Sequence, residues 1–195
     1  MSINTDADAR DRADMERLQA GQDVALNDLM ERHATPVFHF LCRMTGNEDD
    51  ANDLAQETFV RIFKSKKSYR PKQKFSTWLY AIAANLARNH FRWHTRHPNV
   101  SLEAESPDTD ESFASTLPAN APAPNEEALT SERAKAVRDA VDKLPEDLRE
   151  VIVLCEWEER SVAEAATILE ATPKAVESRL YRARQILRER LKGWL

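Results

Sequence analysis

Apolar side chains recur at steps of three and four through the first hundred residues. Leu26, Leu29, Met30, Val37, Phe40, Leu41 and Met44 trace one such stripe, which is the spacing of a helix with one buried face. Pro36 falls inside it and predicts a kink. Gly46-Asn47 supplies a stop. A second helix is expected to turn Ala51, Leu54, Phe59, Ile62 and Phe63 inward. SYRPKQK (68–74) reads as a loop around Pro71. A third helix starts near Ser76-Thr77 and runs to Pro98, with Phe75, Trp78, Leu79, Ile82 and Leu86 as core.

The same period returns after residue 128. One helix is expected over about 128–142, ending at Leu144-Pro145. Pro145 with Glu146 and Asp147 marks the first turn of the next, which runs to about Glu159. Ser161 with Glu164 is the spacing of a capping box and opens a third helix, SVAEAATILE. Thr172 as N-cap and Pro173 at the first helical position open a fourth. No strand alternation and no repeat interrupts this pattern.

Between the two periodic stretches lies PNVSLEAESPDTDESFASTLPANAPAPNEE (98–127), rich in proline, alanine, serine and acid. Its scattered apolar residues cannot bury enough surface to order it alone. The expected organisation is all-α. A tail at 1–9 precedes a helical domain at 10–97. A flexible acidic linker at 98–127 joins it to a second small helical domain at 128–195, which carries a helix-turn-helix.

Composition narrows the class. Three glycines in 195 residues make a Gly-rich phosphate cradle or a barrel of many tight turns implausible. The longest apolar run, Trp78 to Ala84, falls far below the ~18 residues of a membrane span. The polar, acidic N-terminus fits no secretory leader. Cys42 and Cys155 stand singly in helical patterns, as expected of a reducing, cytoplasmic setting.

Charge is segregated. The net charge is -5, yet residues 61–97 carry 10 basic and no acidic side chains, and residues 174–195 carry 7 basic and 2 acidic ones. Residues 98–132 carry 8 acidic and no basic ones. Attraction to a polyanion depends on the local field, which decays within about 8–10 Å at physiological salt. Two concentrated basic segments therefore point to nucleic acid despite the acidic total.

The C-terminal pair has the helix-turn-helix pattern: two short helices, a tight turn, the second helix basic. At 100° per residue Val176, Leu180, Ala183 and Leu187 fall within ~60° of one another and form the buried stripe. Lys174, Ser178, Tyr181, Arg182 and Gln185 then face outward. Glu177 lies on one shoulder, and Arg179 and Arg184 flank the stripe where they reach phosphates. Such a helix suits the major groove, where polar and Arg side chains meet base edges.

The basic segment 61–97 also holds Phe63, Tyr69, Phe75, Trp78, Tyr80, Phe91 and Trp93. Cations beside aromatic rings suit unpaired bases. Most of these rings fall on the core spacing, which leaves Tyr69 on the loop, and Trp93, as candidates for base contact. Arg70, Lys72 and Lys74 share that loop. Asn85, Arg88, Asn89 and Arg92 make a broad polar face on the third helix.

Glu48, Asp49, Asp50, Asp53 and Glu57 cluster where the second helix begins. Acids are favoured there by the helix dipole, and no metal-spaced His stands near them in sequence. A protein-docking surface, with Gln56 and Phe59 beside it, is the preferred reading over a metal site. His90, His94 and His97 have metal-like spacing but lie in a cationic segment, so no metal is expected there either. No Ser/His/Asp set or HExxH occurs; neither an enzyme nor a cofactor is expected.

These residues resemble a known family, the extracytoplasmic-function (ECF) sigma factors of the sigma-70 group. DANDLAQETFVRIF (50–63) is similar to the family's polymerase-clamp-binding helix, FSTWLYAIAANLARNHFR (75–92) to its promoter-melting helix, and the stretch 144–191 to its terminal helix-turn-helix. The resemblance implies that Asp50, Asp53, Gln56, Glu57 and Phe59 meet core RNA polymerase. It implies that Tyr69, Arg70, Lys72, Lys74, Asn85, Arg88, Asn89 and Arg92 capture the unpaired minus-ten element. It assigns Lys174, Glu177, Ser178, Arg179, Arg182 and Arg184 to the duplex minus-thirty-five element. It also implies an anti-sigma factor as a partner. A polymerase-independent helix-turn-helix regulator is the alternative reading; it would need a dimer surface and a palindromic operator.

Overall fold

A computed structural model describes residues 3–97 and 124–194, with side chains described for 6–97 and 132–194. The described residues are all helical apart from turns. The N-terminal half contains α1 (Ile3–Gln19), α2 (Ala25–Thr45), α3 (Glu48–Lys64), a single 3-10 turn (Lys66–Ser68) and α4 (Phe75–Arg96). The C-terminal half contains α5 (Pro124–Asp142), α6 (Glu146–Ile152), α7 (Val162–Ile168) and α8 (Pro173–Arg190). A π-helical turn, Val153–Trp157, extends α6.

Two boundaries differ from expectation. α1 begins at Ile3, so helix occupies most of the stretch read as a tail. The body of this helix is anchored in the interior. Met15 and Leu18 are fully buried, and Asp11 and Asp14, also buried, bind α2 through Arg32 at 3.0 and 2.5 Å. His33 adds a contact to Asp11 at 2.8 Å. α5 begins at Pro124, inside the stretch assigned to the linker. The rest of the linker expectation lies outside the described residues.

α2 continues through Pro36 without a break and ends at Gly46, whose φ of +71° lets its N–H return to the Cys42 carbonyl. Asn47 caps α3 by accepting from the Asp50 N–H at 3.0 Å. The N-terminal core is Leu29, Val37, Phe40, Leu41 and Met44 of α2, Ala51, Ala55, Phe59 and Ile62 of α3, and Phe75, Leu79, Tyr80 and Ala83 of α4. Phe63, expected inside, is exposed, with the Lys66 ammonium 4.2 Å above its ring. Ala55 and Thr58 take the inner positions instead.

Both caps expected in the second half are present. Ser161 and Glu164 form the reciprocal capping box of α7, and Thr172 accepts from the Ala175 N–H at 3.2 Å with Pro173 opening α8. Thr172→Ala is expected to cost about 1 kcal/mol of stability. A urea midpoint that does not move would refute the role of this cap.

Candidate nucleic-acid and polymerase interface

α7, the turn through Glu170 and α8 form the helix-turn-helix. Val176, Leu180 and Ala183 are buried and Leu187 half-buried, so the stripe lies where the period puts it. Lys174, Glu177, Ser178, Tyr181 and Arg182 are exposed in a row on the opposite side. Gln185, expected beside them, is half-buried. Arg179 and Arg184 lie on the flanks but are engaged. Arg179 stands 3.7 Å from Asp147 of α6, and Arg184 donates to Glu156 at 2.6 and 2.9 Å. Arg182 is the arginine on the outward row of α8.

On α3, Asp53 and Gln56 are exposed and adjacent along one face. Glu57 is half-buried and accepts from Arg61 at 2.8 Å, which holds its carboxyl below the usual range. Phe59 is 4 % exposed and lies in the core, where the inward stripe of α3 put it; the docking surface expected beside it does not include its ring. Asp50 faces α4, where Nε2 of His90 lies 3.3 Å from its Oδ2. The acidic cluster and the histidine pair, read separately in the sequence, meet in space because α3 packs along α4.

The loop before α4 holds a second correction. Tyr69 is 4 % exposed, packed against Phe75 and Trp78 with centroids 6.2 and 5.3 Å away, and its hydroxyl donates to the Gln73 carbonyl. It shapes the loop and does not present its ring to a base. Arg70 and Lys72 beside it are exposed. Trp93 is exposed at 44 % and stacks on His97. Asn89 and Arg92 are exposed on α4.

Arg88 of the α4 face and Lys74 of the loop are engaged by the C-terminal half. Arg88 lies 3.4 Å from Glu150 of α6 and donates to Asn85 at 2.7 Å. Lys74 pairs with Glu164 of α7 at 3.0 Å, which raises the lysine. Burial alone would raise Glu164, but hydrogen bonds from Ser161 and Lys74 hold it at about 2. The Tyr80 hydroxyl donates to Glu158, which also receives Arg43 at 3.4 Å. The Arg160 guanidinium covers the Tyr80 ring at 4.6 Å and donates to the Ser76 hydroxyl at 3.1 Å. Arg149 donates to the Met44 carbonyl at 2.8 Å.

These contacts close the two halves on one another. Tyr80, Glu150, Glu158 and Arg160 were not expected as site residues; the one sequence signal was a tyrosine on a core stripe whose hydroxyl needs a partner. Two basic faces result. One, on α8, is open; the other, on α4, is half-covered by its own second domain. Among the described residues no helix is long and apolar enough to cross a membrane.

A two-part helical chain with a helix-turn-helix, two basic faces and an acidic face on α3 has the build of a DNA-binding protein. Comparison with known proteins gives its family. Sigma-70 region 2 matches residues 29–97 and sigma-70 region 4 matches residues 134–187. The chain is 35 % identical over 182 residues to the ECF RNA polymerase sigma-E factor of Haemophilus influenzae, covering 93 % of this chain and 95 % of that one. Among solved structures, CnrH in complex with the cytosolic domain of CnrY is 27 % identical, with a TM-score of 0.69 over 94 % of this chain and 98 % of that one. The sigma factor RpoE in complex with the anti-sigma factor NepR, from Bartonella quintana, shares the fold at 22 % identity and a TM-score of 0.65, over 87 % and 98 % of the two chains.

The protein belongs to the ECF sigma factors of the sigma-70 family. It binds core RNA polymerase and recognises promoters through its regions 2 and 4, and it is a specificity subunit, not an enzyme.

Proposed function

We propose that the outward row of α8, with Arg182 at its centre, reads the duplex minus-thirty-five element. The supporting observation is that Lys174, Glu177, Ser178 and Arg182 are exposed together on a helix whose opposite side is buried. Arg179 and Arg184 hold that helix to α6 and the π turn through Asp147 and Glu156, and reach phosphates from its flanks. Glu177 accepts from a cytosine amino group or limits phosphate attraction.

The minus-ten element engages α4 through Asn89 and Arg92, joined by Arg70 and Lys72 of the loop. Asn85 adds to this face, and Arg88 and Lys74 are released from Glu150 and Glu164 when the C-terminal domain moves away. Base capture costs a few kcal/mol of unstacking, offset by stacking and backbone contacts. Asp53 and Gln56 dock on the polymerase, with Glu57 and Arg61 beside them. The closed packing is thus a state of the protein off its promoter. An anti-sigma factor is the expected regulator; two chains that share this fold were solved in complexes, CnrH with the cytosolic domain of CnrY and RpoE with the anti-sigma factor NepR. The setting of this work is the cytoplasm, where core polymerase and promoter DNA are found.

Run-off transcription with core polymerase tests the assignment. Arg182→Ala is expected to lose upstream recognition by about 1–3 kcal/mol, roughly 5- to 150-fold in promoter affinity. Asp53→Ala is expected to weaken assembly on core without changing promoter preference. Equal start-site selection by wild type and Arg182→Ala would overturn the reading of α8.

A further inference from the structure

Asp50 lies in the first turn of α3, and His90 and His94 lie one turn apart on α4. The packing of the two helices brings them to one point. One donor atom from each of the three lies within 4.8 Å of the other two. Nε2 of His90 is 3.3 Å from Oδ2 of Asp50, and the two imidazole rings have centroids 4.3 Å apart. A tetrahedral ion bound at about 2.0–2.2 Å by nitrogen and oxygen holds neighbouring donors roughly 3.4 Å apart. The Asp50–His90 pair already has that span. His94 is exposed, so its ring can turn to complete the set.

We propose that Asp50, His90 and His94 bind one divalent transition-metal ion of the zinc class, with a fourth position open to water. The donor set decides the class. Two imidazoles and one carboxylate suit zinc, nickel or copper, whereas magnesium and calcium take oxygen ligands. Arg92 on α4 opposes a cation, and Asp49 and Asp53 on α3 favour one. Both influences act from exposed side chains and are screened by salt, so the coordination bonds decide occupancy.

A bound ion would fasten the start of α3 to the C-terminal half of α4. It would also remove Asp50 from the acidic surface and hold the segment bearing Asn89 and Arg92 in one orientation. The site does not depend on the promoter reading; a chain that failed in transcription would still bind the ion.

The test uses the full chain, stripped with a chelator and titrated with zinc chloride against a chromophoric zinc indicator. One equivalent is expected to bind. His90→Ala, His94→Ala and the isosteric Asp50→Asn should each weaken binding roughly tenfold or more. His39→Ala, at an exposed position on α2, should bind like wild type. Far-UV circular dichroism checks folding. His94 is exposed, and its removal leaves the core untouched. Cobalt substituted for zinc should give the visible absorption of a tetrahedral site in wild type and lose it in His94→Ala. Absence of stoichiometric zinc, or equal binding by His94→Ala and wild type, would overturn the proposal.

Discussion

Tyr80→Ala is expected to destabilise the protein by about 3–5 kcal/mol, the range for removing a large buried ring. Tyr80 is buried to 1 % exposure and packs edge-on against Phe40 with centroids 5.1 Å apart. It also joins the two halves, since its hydroxyl donates to Glu158 and Arg160 covers its face. Burial and the neighbouring Glu158 carboxylate both raise its pKa, so the hydroxyl remains a donor at any physiological pH. Tyr80→Phe separates the two roles. It keeps the ring and removes the donor, costing about 1–2 kcal/mol because Glu158 loses a hydrogen bond but keeps Arg43. The phenylalanine variant should stay folded and open more readily, seen as a larger radius of gyration in small-angle scattering and faster proteolysis between the domains. If both variants melt like wild type, Tyr80 is not the joint between the halves.

That joint was hidden in the sequence for a physical reason. Tyr80 and Glu158 are 78 positions apart, and neither has a local feature that names the other. The same holds for Asp50 with His90, and for Arg88 with Glu150. The helix-turn-helix, by contrast, is coded locally. Thr172, Pro173 and the Ser161–Glu164 pair act within one turn, and Val176, Leu180 and Ala183 repeat at helical spacing. Local rules therefore reached both caps and the outward row of α8. Tyr69 shows where such rules stop. An aromatic beside charges looks like a contact residue, but its burial is set by helices that arrive from elsewhere in the chain. The acids of α1 are a further case: nothing near Asp11 and Asp14 in the chain names their partners, Arg32 and His33 on α2, which draw them into the interior.

Glu150 makes the closed packing sensitive to pH, and its replacement by glutamine is expected to abolish that sensitivity. It is 3 % exposed and lies within ion-pair distance of Arg88, although Glu150 Oε1 and Arg88 Nε lack hydrogen-bond partners among the described residues. Burial raises its carboxyl to about 7, against the lowering effect of Arg88. The folded state therefore holds this proton at a pH where the unfolded chain, with an ordinary carboxyl of 4.5, has released it. The stabilisation is full below about pH 4.5 and is lost as pH rises through about 7. At the alkaline end, burying the charge costs on the order of 3 kcal/mol relative to the protonated form. Glu150→Gln stays neutral and still offers Arg88 an acceptor oxygen. At pH 8 it should be more stable than wild type in urea unfolding, and at pH 5 the gap should shrink to near zero. Glu164 works in the opposite direction, losing its contribution below pH 4.5, but it is common to both chains and cancels in the comparison. A constant difference between the two proteins from pH 5 to pH 8 would show that Glu150 keeps its charge in the closed state. Removing the carboxylate should then loosen α4 from α6 at every pH.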